Sequence, residues 1–289
     1  MRITVQPFDF AMAENAGAVS PFSQAAKAYD GPLYHQENDL PHPLVMHARA
    51  MREFDSAASE LITHASEAAF QAGIDPTYKL DFGLVRHWQE TIYRATELFD
   101  TYYSHIPTAL GTKTDKVIRR RLEPLIAATK KRRDPWAMMC NRLKHNHHVL
   151  VPMRTRYVSG KTVDSYRVSK HDPSGALVGS PEFHRHVRSI SFGVSLRELL
   201  HDILRTDQTA AKMVGVTGEY GTSILASTLR VLPSLQAWPN IYEHGQRATV
   251  EAVPGGYELA RYLLVPIREA ARQSSVTTAD GVTNTFEIP

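Results

Sequence analysis

One dense run of the chain has the residue types that could handle a phosphate: Cys140-Asn141-Arg142-Leu143-Lys144-His145-Asn146-His147-His148. Arginine and lysine hold phosphate oxygens, and a cationic neighbour favours the neutral imidazole that can act as a base. Together these groups fit metal-independent RNA cleavage, in which a base takes the 2′-hydroxyl proton and cations stabilise the transition state. The alternative is an ordinary polar helix end, because histidine and lysine favour the C-terminal dipole of a helix.

Helical spacing divides this run into two stripes. One stripe, containing Trp136, Cys140, Leu143 and His147, is predicted to be buried, which favours a small core residue over a nucleophile at Cys140. The neighbouring stripe contains Asn141, Lys144, His145 and His148. We therefore expect Arg142, His145 and His147 to carry any chemistry, with Asn141 and Lys144 in support.

The charge of the chain is concentrated in the same region. The 289 residues have a formal net charge of +3, yet the segment Lys113–Lys170 holds 16 Lys or Arg and 4 Asp or Glu. Such a segment attracts polyanions, and nucleic acid is the commonest one. The alternatives are a solvated helix face and an acidic protein surface, including that of a second copy. The expected nucleic-acid contacts, with RNA favoured over DNA, are Arg119, Arg120, Arg121, Lys130, Lys131, Arg132, Arg133, Asn141, Lys144, His148, Arg154 and Arg156.

Apolar periodicity predicts the elements that position these residues. Steps of three and four predict amphipathic helices over 43–73, 81–105, 114–131 and 134–147. Asp134-Pro135 is typical of a helix start, which separates the third helix from the fourth. Strands are predicted over 149–158 and 163–168, with a further alternating segment at 187–192 and turns at 159–160 and 172–175. Helices are predicted at 196–214, 222–232 and 256–272, and a terminal hairpin around 280–281.

These elements predict an α+β fold that is mainly α. Four helices with short connections indicate an antiparallel four-helix bundle, followed by a small antiparallel sheet and further helices. The expected organisation is an irregular segment with an edge strand near Ile3, Val5 and Phe8 (1–40), a helical bundle (41–148), and a β-hairpin with a helical extension (149–289).

The bundle and its motif resemble the HEPN superfamily (higher eukaryotes and prokaryotes nucleotide-binding). Members carry Arg-x4–6-His, often Arg-Asn-x3-His, late in a bundle of four helices, and many bacterial relatives carry an Asn-x-Leu-Lys-His string like Asn141 to His145. The resemblance covers about residues 42–148. It implies a homodimer whose arginine and histidine face a cleft between two copies, and RNA cleavage in a bacterial defence or toxin–antitoxin system.

The motif can be aligned in two registers. Matching Arg-Asn-x3-His places Cys140 at the arginine, which indicates a non-catalytic member. Matching Arg142-x4-His147 keeps both residue types, but a five-residue step on a regular helix separates them by roughly 140° unless the helix ends between them. Two functions therefore stay open: an RNA-binding protein with ribonuclease activity, and a non-catalytic dimeric assembly module that holds nucleic acid or an acidic partner.

Other features of the sequence argue against a metal-binding or membrane protein. A single cysteine and the absence of His-Glu-x2-His spacing predict no metal site, and no cofactor is expected. No apolar run approaches the roughly 20 residues that span a bilayer, and the first residues lack a signal-peptide pattern, so we expect a cytoplasmic protein without membrane contact.

Overall fold

The computed structural model describes residues 18–27, 29–74, 82–156, 162–184, 189–217, 228–229, 246–253, 257–264, 273–277 and 283–287. The predicted edge strand near Ile3, Val5 and Phe8 and the turn at 159–160 lie outside these residues. Among the described residues, no helix combines the length and the apolar character that crossing a membrane requires.

The described part of the chain is mainly helical. Its α-helices are α1 (Pro21–Lys27), α2 (Pro43–Ile74), α3 (Phe82–Asp100), α4 (Ile106–Ala109), α5 (Lys116–His145) and α6 (Phe192–Thr217). A π-helical turn, Thr101–His105, joins α3 to α4, and a short 3-10 helix, Gln36–Asn38, precedes α2. α3 packs against α2, α5 and α6, and α6 also packs against α1 and α5.

Ten short strands complete the described fold: β1 (Ala18–Val19), β2 (Val149–Arg156), β3 (Thr162–His171), β4 (Leu177–Gly179), β5 (Ile190–Ser191), β6 (Thr228–Leu229), β7 (Gln246–Val253), β8 (Tyr257–Leu264), β9 (Gln273–Thr277) and β10 (Thr283–Glu287). The main sheet has the order β10-β9-β2-β3-β4, with β5 also pairing with β3, and every described pairing is antiparallel. The prediction of a mainly helical fold with a small antiparallel sheet is confirmed.

The predicted break between the third and fourth helices is wrong. Residues 116–145 form one helix that runs through Pro124 and Pro135. A proline inside a helix removes one backbone hydrogen bond and crowds the carbonyl four residues earlier. Packing offsets this cost, because Trp136 and Cys140 are buried directly after Pro135 and the Trp136 indole N–H donates to Asp202 at 2.9 Å.

Three further predictions need correction. Helix α1 and strand β1 lie within the segment 1–40 that was expected to be irregular. Residues 257–264 form β8, which pairs with β7, so the predicted helix 256–272 is wrong there. The predicted helix 222–232 falls mostly outside the described residues, and its described part, Thr228–Leu229, is strand β6. The terminal hairpin, by contrast, is confirmed as β9 and β10.

One hydrophobic core joins the helices to the sheet. Trp88 lies at its centre, with ring centroids of Tyr166 at 5.7 Å and of Phe192 at 6.4 Å. These three fully buried rings come from α3, β3 and α6 and are each among the largest apolar side chains of the core. The burial of large rings is the main stabilising contribution here, and it fixes α3 and α6 against the sheet that follows α5.

Candidate nucleic-acid interface

The C-terminal end of α5 brings together the residues of the predicted chemical motif. The helix ends at His145, so the step from Arg142 to His147 does not follow a regular helix, which meets the condition for the second motif register. The Arg142 carbonyl accepts the backbone N–H groups of Asn146 (3.2 Å) and His148 (3.3 Å). His147 has φ 52°, a left-handed conformation that a non-glycine residue adopts at a cost of order 1 kcal/mol. This turn leaves His145 and His147 exposed at the helix end, so the predicted burial of His147 is wrong, because the helix ends before that residue.

Arg142 is already engaged. Its guanidinium donates to both carboxylate oxygens of Glu182, with Nε–Oε2 at 2.8 Å and Nη2–Oε1 at 2.6 Å. Two parallel bonds of this kind are the strongest arrangement that arginine makes with a carboxylate. The same fork is what a phosphate would need, so Arg142 reaches a phosphate only when the contact with Glu182 opens.

The residues expected to support Arg142 have different surroundings. Lys144 Nζ lies 4.3 Å from the ring centroid of Tyr93, a cation–π contact that holds the ammonium near the protein surface. Asn141 is exposed and lines a surface groove together with Met138 and Arg142. The ring of His148 spans two neighbours, with Nδ1 3.0 Å from the Asn146 carbonyl oxygen and Nε2 3.2 Å from Ser180 Oγ.

Cys140 is a core residue, as its stripe predicted. It is 3% exposed, and burial raises the pKa of its thiol despite the nearby Lys144. A protonated buried thiol is a poor nucleophile, so a role for Cys140 in covalent chemistry is unsupported. Among the described residues, no group of three or more His, Cys, Asp or Glu side chains could hold a metal ion.

The second basic cluster, Lys130 to Arg133, is partly neutralised within the protein. Lys130 pairs with Asp134 at 2.5 Å, and Arg133 pairs with Asp100 at 2.5 Å and stacks over Tyr103. Arg132 donates to the Ala128 carbonyl and to Thr209 Oγ1. Lys131 is exposed, which leaves it as the cation of this cluster best placed to meet a ligand.

The first basic cluster is free of such contacts. Lys116, Arg119, Arg120 and Arg121 are all exposed, and among the described residues none of them has a carboxylate partner within 4.0 Å. Four unneutralised cations therefore lie within six residues of one helix, between the N-cap Asp115, whose carboxylate accepts the Val117 N–H, and the exposed Glu123. The structure thus separates cations that bind the protein itself from cations that are available to a polyanion. We name Lys116, Arg119, Arg120, Arg121 and Lys131 the open basic face.

Two arginines of the sheet cannot be assigned to this surface. Arg154 and Arg156 lie in β2, whose backbone pairs with β3 on one side and β9 on the other. Their side chains, and Tyr157 beside them, fall outside the described part of the structure. Their predicted contact with nucleic acid stays a prediction.

The sequence reasoning missed a buried polar cluster around Asp207. This carboxylate, 1% exposed, accepts hydrogen bonds from Ser20 Oγ (2.8 Å), Tyr102 Oη (2.7 Å) and the Phe22 N–H (3.2 Å). His47 Nε2 lies 3.0 Å from the same carboxylate. Burial and the Asp207 charge raise the pKa of Tyr102 well above its ordinary value. The cluster ties α1, α2 and the π-helical turn to α6.

One signal in the sequence pointed to this cluster. His47 occupies the apolar stripe of the helix predicted over 43–73, where a polar ring needs partners. The decisive partner is far away along the chain, since His47 and Asp207 are 160 residues apart. The cluster is fully enclosed by the core, which makes it a structural tie between elements; it offers no opening for a substrate.

No family model, curated protein or solved structure matches this chain. The resemblance to HEPN proteins therefore rests on the motif at 141–145 and its helical setting.

Proposed function

We propose that this chain is an RNA-binding protein that holds RNA through the open basic face of α5. The observation that carries the proposal is the exposure of Lys116, Arg119, Arg120 and Arg121 without carboxylate partners among the described residues. Unneutralised cations on a rigid helix release condensed counterions when they meet phosphates, which drives binding without any base contact.

The finer parts of the proposal follow the motif. A HEPN-like four-helix bundle, a homodimer and a place in a bacterial defence or toxin–antitoxin system are implied by the resemblance around Asn141 to His145. They add a biological setting to the charge argument, and size-exclusion chromatography with light scattering tests the dimer.

The direct experiment is a binding titration of purified chain with fluorescein-labelled RNA, followed by fluorescence anisotropy at several salt concentrations with EDTA present. We expect binding whose logarithm falls linearly with the logarithm of salt concentration. The variant R119Q/R120Q should bind more weakly and show a salt slope smaller by about one per lost phosphate contact. R52Q/R86Q, which replaces exposed arginines on α2 and α3, is the control matched in charge and residue type.

A second function, metal-independent RNA cleavage, is favoured by one specific observation. Because α5 ends at His145, the side chains of Arg142, His145 and His147 surround one helix terminus, and His147 has an unusual backbone conformation. In this mechanism His145 or His147 takes the 2′-hydroxyl proton, and the 2′-oxygen attacks phosphorus. The bond from phosphorus to the 5′-oxygen of the next nucleotide breaks, that oxygen takes a proton from solvent, and a 2′,3′-cyclic phosphate remains. Arg142 stabilises the negative charge that develops on the non-bridging phosphate oxygens. The ion pair with Glu182 must open first.

The cleavage hypothesis has its own test. Glu182→Gln removes the charge that holds Arg142, so it should increase cleavage of labelled RNA, while replacing both His145 and His147 with alanine in the same background should abolish it. Equal product with and without the two histidines would refute the mechanism. If every variant binds RNA without cleaving it, the result would support a non-catalytic binding module instead. If the chain binds an acidic protein and no RNA, the result would support an assembly module that meets a protein partner.

A further inference from the structure

We infer that the RNA recognised by the open basic face is double-stranded, held through the phosphates of both strands. This inference rests on the proposed RNA binding and adds the class of RNA. It comes from how the cations are distributed around and along α5.

The first three arginines surround the exposed side of α5. Successive residues of a helix are turned by about 100°, so Arg119 and Arg121 are roughly 200° apart and leave on opposite flanks of a rod about 10 Å across. Arg120 lies between them, and all three are exposed. A single phosphate backbone running along the helix can meet one flank and the centre, whereas reaching both flanks at one level requires two strands.

The same arrangement repeats along the helix. Lys130, Lys131 and Arg132 follow Arg119, Arg120 and Arg121 by eleven residues, which is about three turns and roughly 16 Å of helix rise. Each therefore continues the row of its counterpart with an offset of only about 20°. Lys130 and Arg132 contact Asp134 and Thr209, respectively. Lys131 is exposed and continues the central row that begins at Arg120. An array that repeats along one helix in this way matches a stiff polyanion better than a flexible strand.

α5 also lacks what a single-strand site needs. Proteins that bind unpaired RNA stack its bases on aromatic side chains, which supply much of the binding energy. Trp136 is the one Phe, Tyr or Trp residue within Lys116–His145; it is buried and bonded to Asp202. Between the cations, the exposed residues of the first half of α5 include Val117, Glu123, Pro124 and Ala127, none of which is aromatic.

Duplex RNA offers a surface that fits these features. Its minor groove is wide and shallow, and proteins read it through phosphates and 2′-hydroxyl groups without separating the bases. A helix lying over this groove would place its two flanks beside the two strands and its central row, with Arg120 and Lys131, over the groove. The inference predicts recognition by shape, with little dependence on sequence.

The test compares three fluorescein-labelled probes of one sequence: a blunt RNA duplex of about 20 base pairs, long enough to exceed the roughly 22 Å of charged helix, its single strand, and the DNA duplex. Full-length chain is titrated against each by anisotropy at matched salt. We expect the RNA duplex to bind at least about tenfold more tightly than the single strand and more tightly than the DNA duplex, because only the RNA duplex offers both two strands and 2′-hydroxyl groups.

Single-flank variants make the test specific to the geometry. Arg119→Gln and Arg121→Gln should each weaken duplex binding, and the double variant should bind the duplex no better than the single strand. The surface control Arg52→Gln should leave both affinities unchanged, and circular dichroism should show that every variant keeps its helices.

The possible results distinguish a failure of the duplex inference from a failure of the proposed RNA binding. Equal binding of duplex and single strand, or preference for the single strand, overturns the inference and leaves RNA binding intact. A flank variant that does not weaken duplex binding also overturns the inference. No binding to either RNA, or binding to the DNA duplex alone, overturns both.

Discussion

The buried carboxylate of Asp207 gives the sharpest stability prediction, because four donors from three distant parts of the chain converge on it. Replacing Asp207 with alanine leaves the hydroxyls of Ser20 and Tyr102, the Phe22 N–H and the His47 ring without their shared acceptor. Every one of these side chains is less than 5% exposed, so water cannot replace the carboxylate without opening the core.

The expected loss of stability depends on how many hydrogen-bond donors lose their acceptor. Each hydrogen bond to a charged group contributes about 1.5–3 kcal/mol, but bonds that share one acceptor are not additive. Removing one member of a buried charged cluster typically costs about 3–5 kcal/mol, and we expect Asp207→Ala to lie in this range. Asp207→Asn keeps the shape and one acceptor oxygen, so its cost should be smaller.

The assay is the midpoint of thermal unfolding, followed by circular dichroism at neutral pH. A loss of about 3–5 kcal/mol corresponds to a decrease of roughly 6–20 °C. Thr206→Val is a matched control in the neighbouring position, because Thr206 is fully buried and its hydroxyl has no hydrogen-bond partner among the described residues. Removing that hydroxyl should leave the midpoint unchanged or raise it.

Two results would refute this reasoning. A midpoint for Asp207→Ala within about 1 °C of the unmodified chain would mean that the carboxylate does not hold α1, α2 and the π-helical turn to α6. An equal loss for Thr206→Val would mean that any change at this level of α6 disturbs the core, and the network would have no special role.

Three further predictions concern other parts of the molecule. Burial raises the pKa of both Tyr102 and Tyr166 above the ordinary value, so the folded chain keeps protons that the unfolded chain releases above about pH 10. The free energy of unfolding should therefore fall as the pH rises beyond that point, and unfolding midpoints measured against pH would show this fall. The fall should be smaller in Tyr166→Phe. Cys140 should react with a thiol reagent such as 5,5′-dithiobis(2-nitrobenzoate) only after unfolding, since it is buried and its pKa is raised; rapid labelling of the native chain would contradict its core position. His147→Gly should raise the unfolding midpoint by the equivalent of up to about 1 kcal/mol, because glycine adopts the left-handed backbone without strain, and a lower midpoint would argue that the imidazole itself stabilises the turn.

The long helices were predictable because their apolar residues repeat at helical spacing. α2 and α3 begin within about a residue of the predicted positions, and α6 covers the whole predicted segment 196–214. The hairpin of β2 and β3 was also predictable, since residues 149–158 and 163–168 have strand-forming composition on either side of a turn signal. Local pattern and tertiary packing agree in these segments.

The continuous α5 was not predictable from local rules. Asp134-Pro135 satisfies every local criterion for a helix start, and only the burial of Trp136 and its bond to Asp202 hold the helix through that point. The tertiary contact that overrides the local sequence pattern joins two residues that are 66 positions apart in the chain.

The candidate site was predicted only in part, for a related reason. Composition located the basic segment, but it could not show which cations the protein itself neutralises. The bond from Arg142 to Glu182 spans 40 residues, and the bond from Arg133 to Asp100 spans 33. Sequence spacing gives no indication of such pairs, so the distinction between engaged cations and the open basic face had to come from the structure.

The central claim is that the open basic face of α5 binds RNA phosphates. The most direct measurement is the affinity of labelled RNA for the R119Q/R120Q/R121Q variant and for the unmodified chain across a range of salt concentrations. The account predicts a large loss of affinity and a salt slope smaller by about two to three in the variant, because up to three phosphate contacts disappear. An unchanged affinity and slope would contradict it.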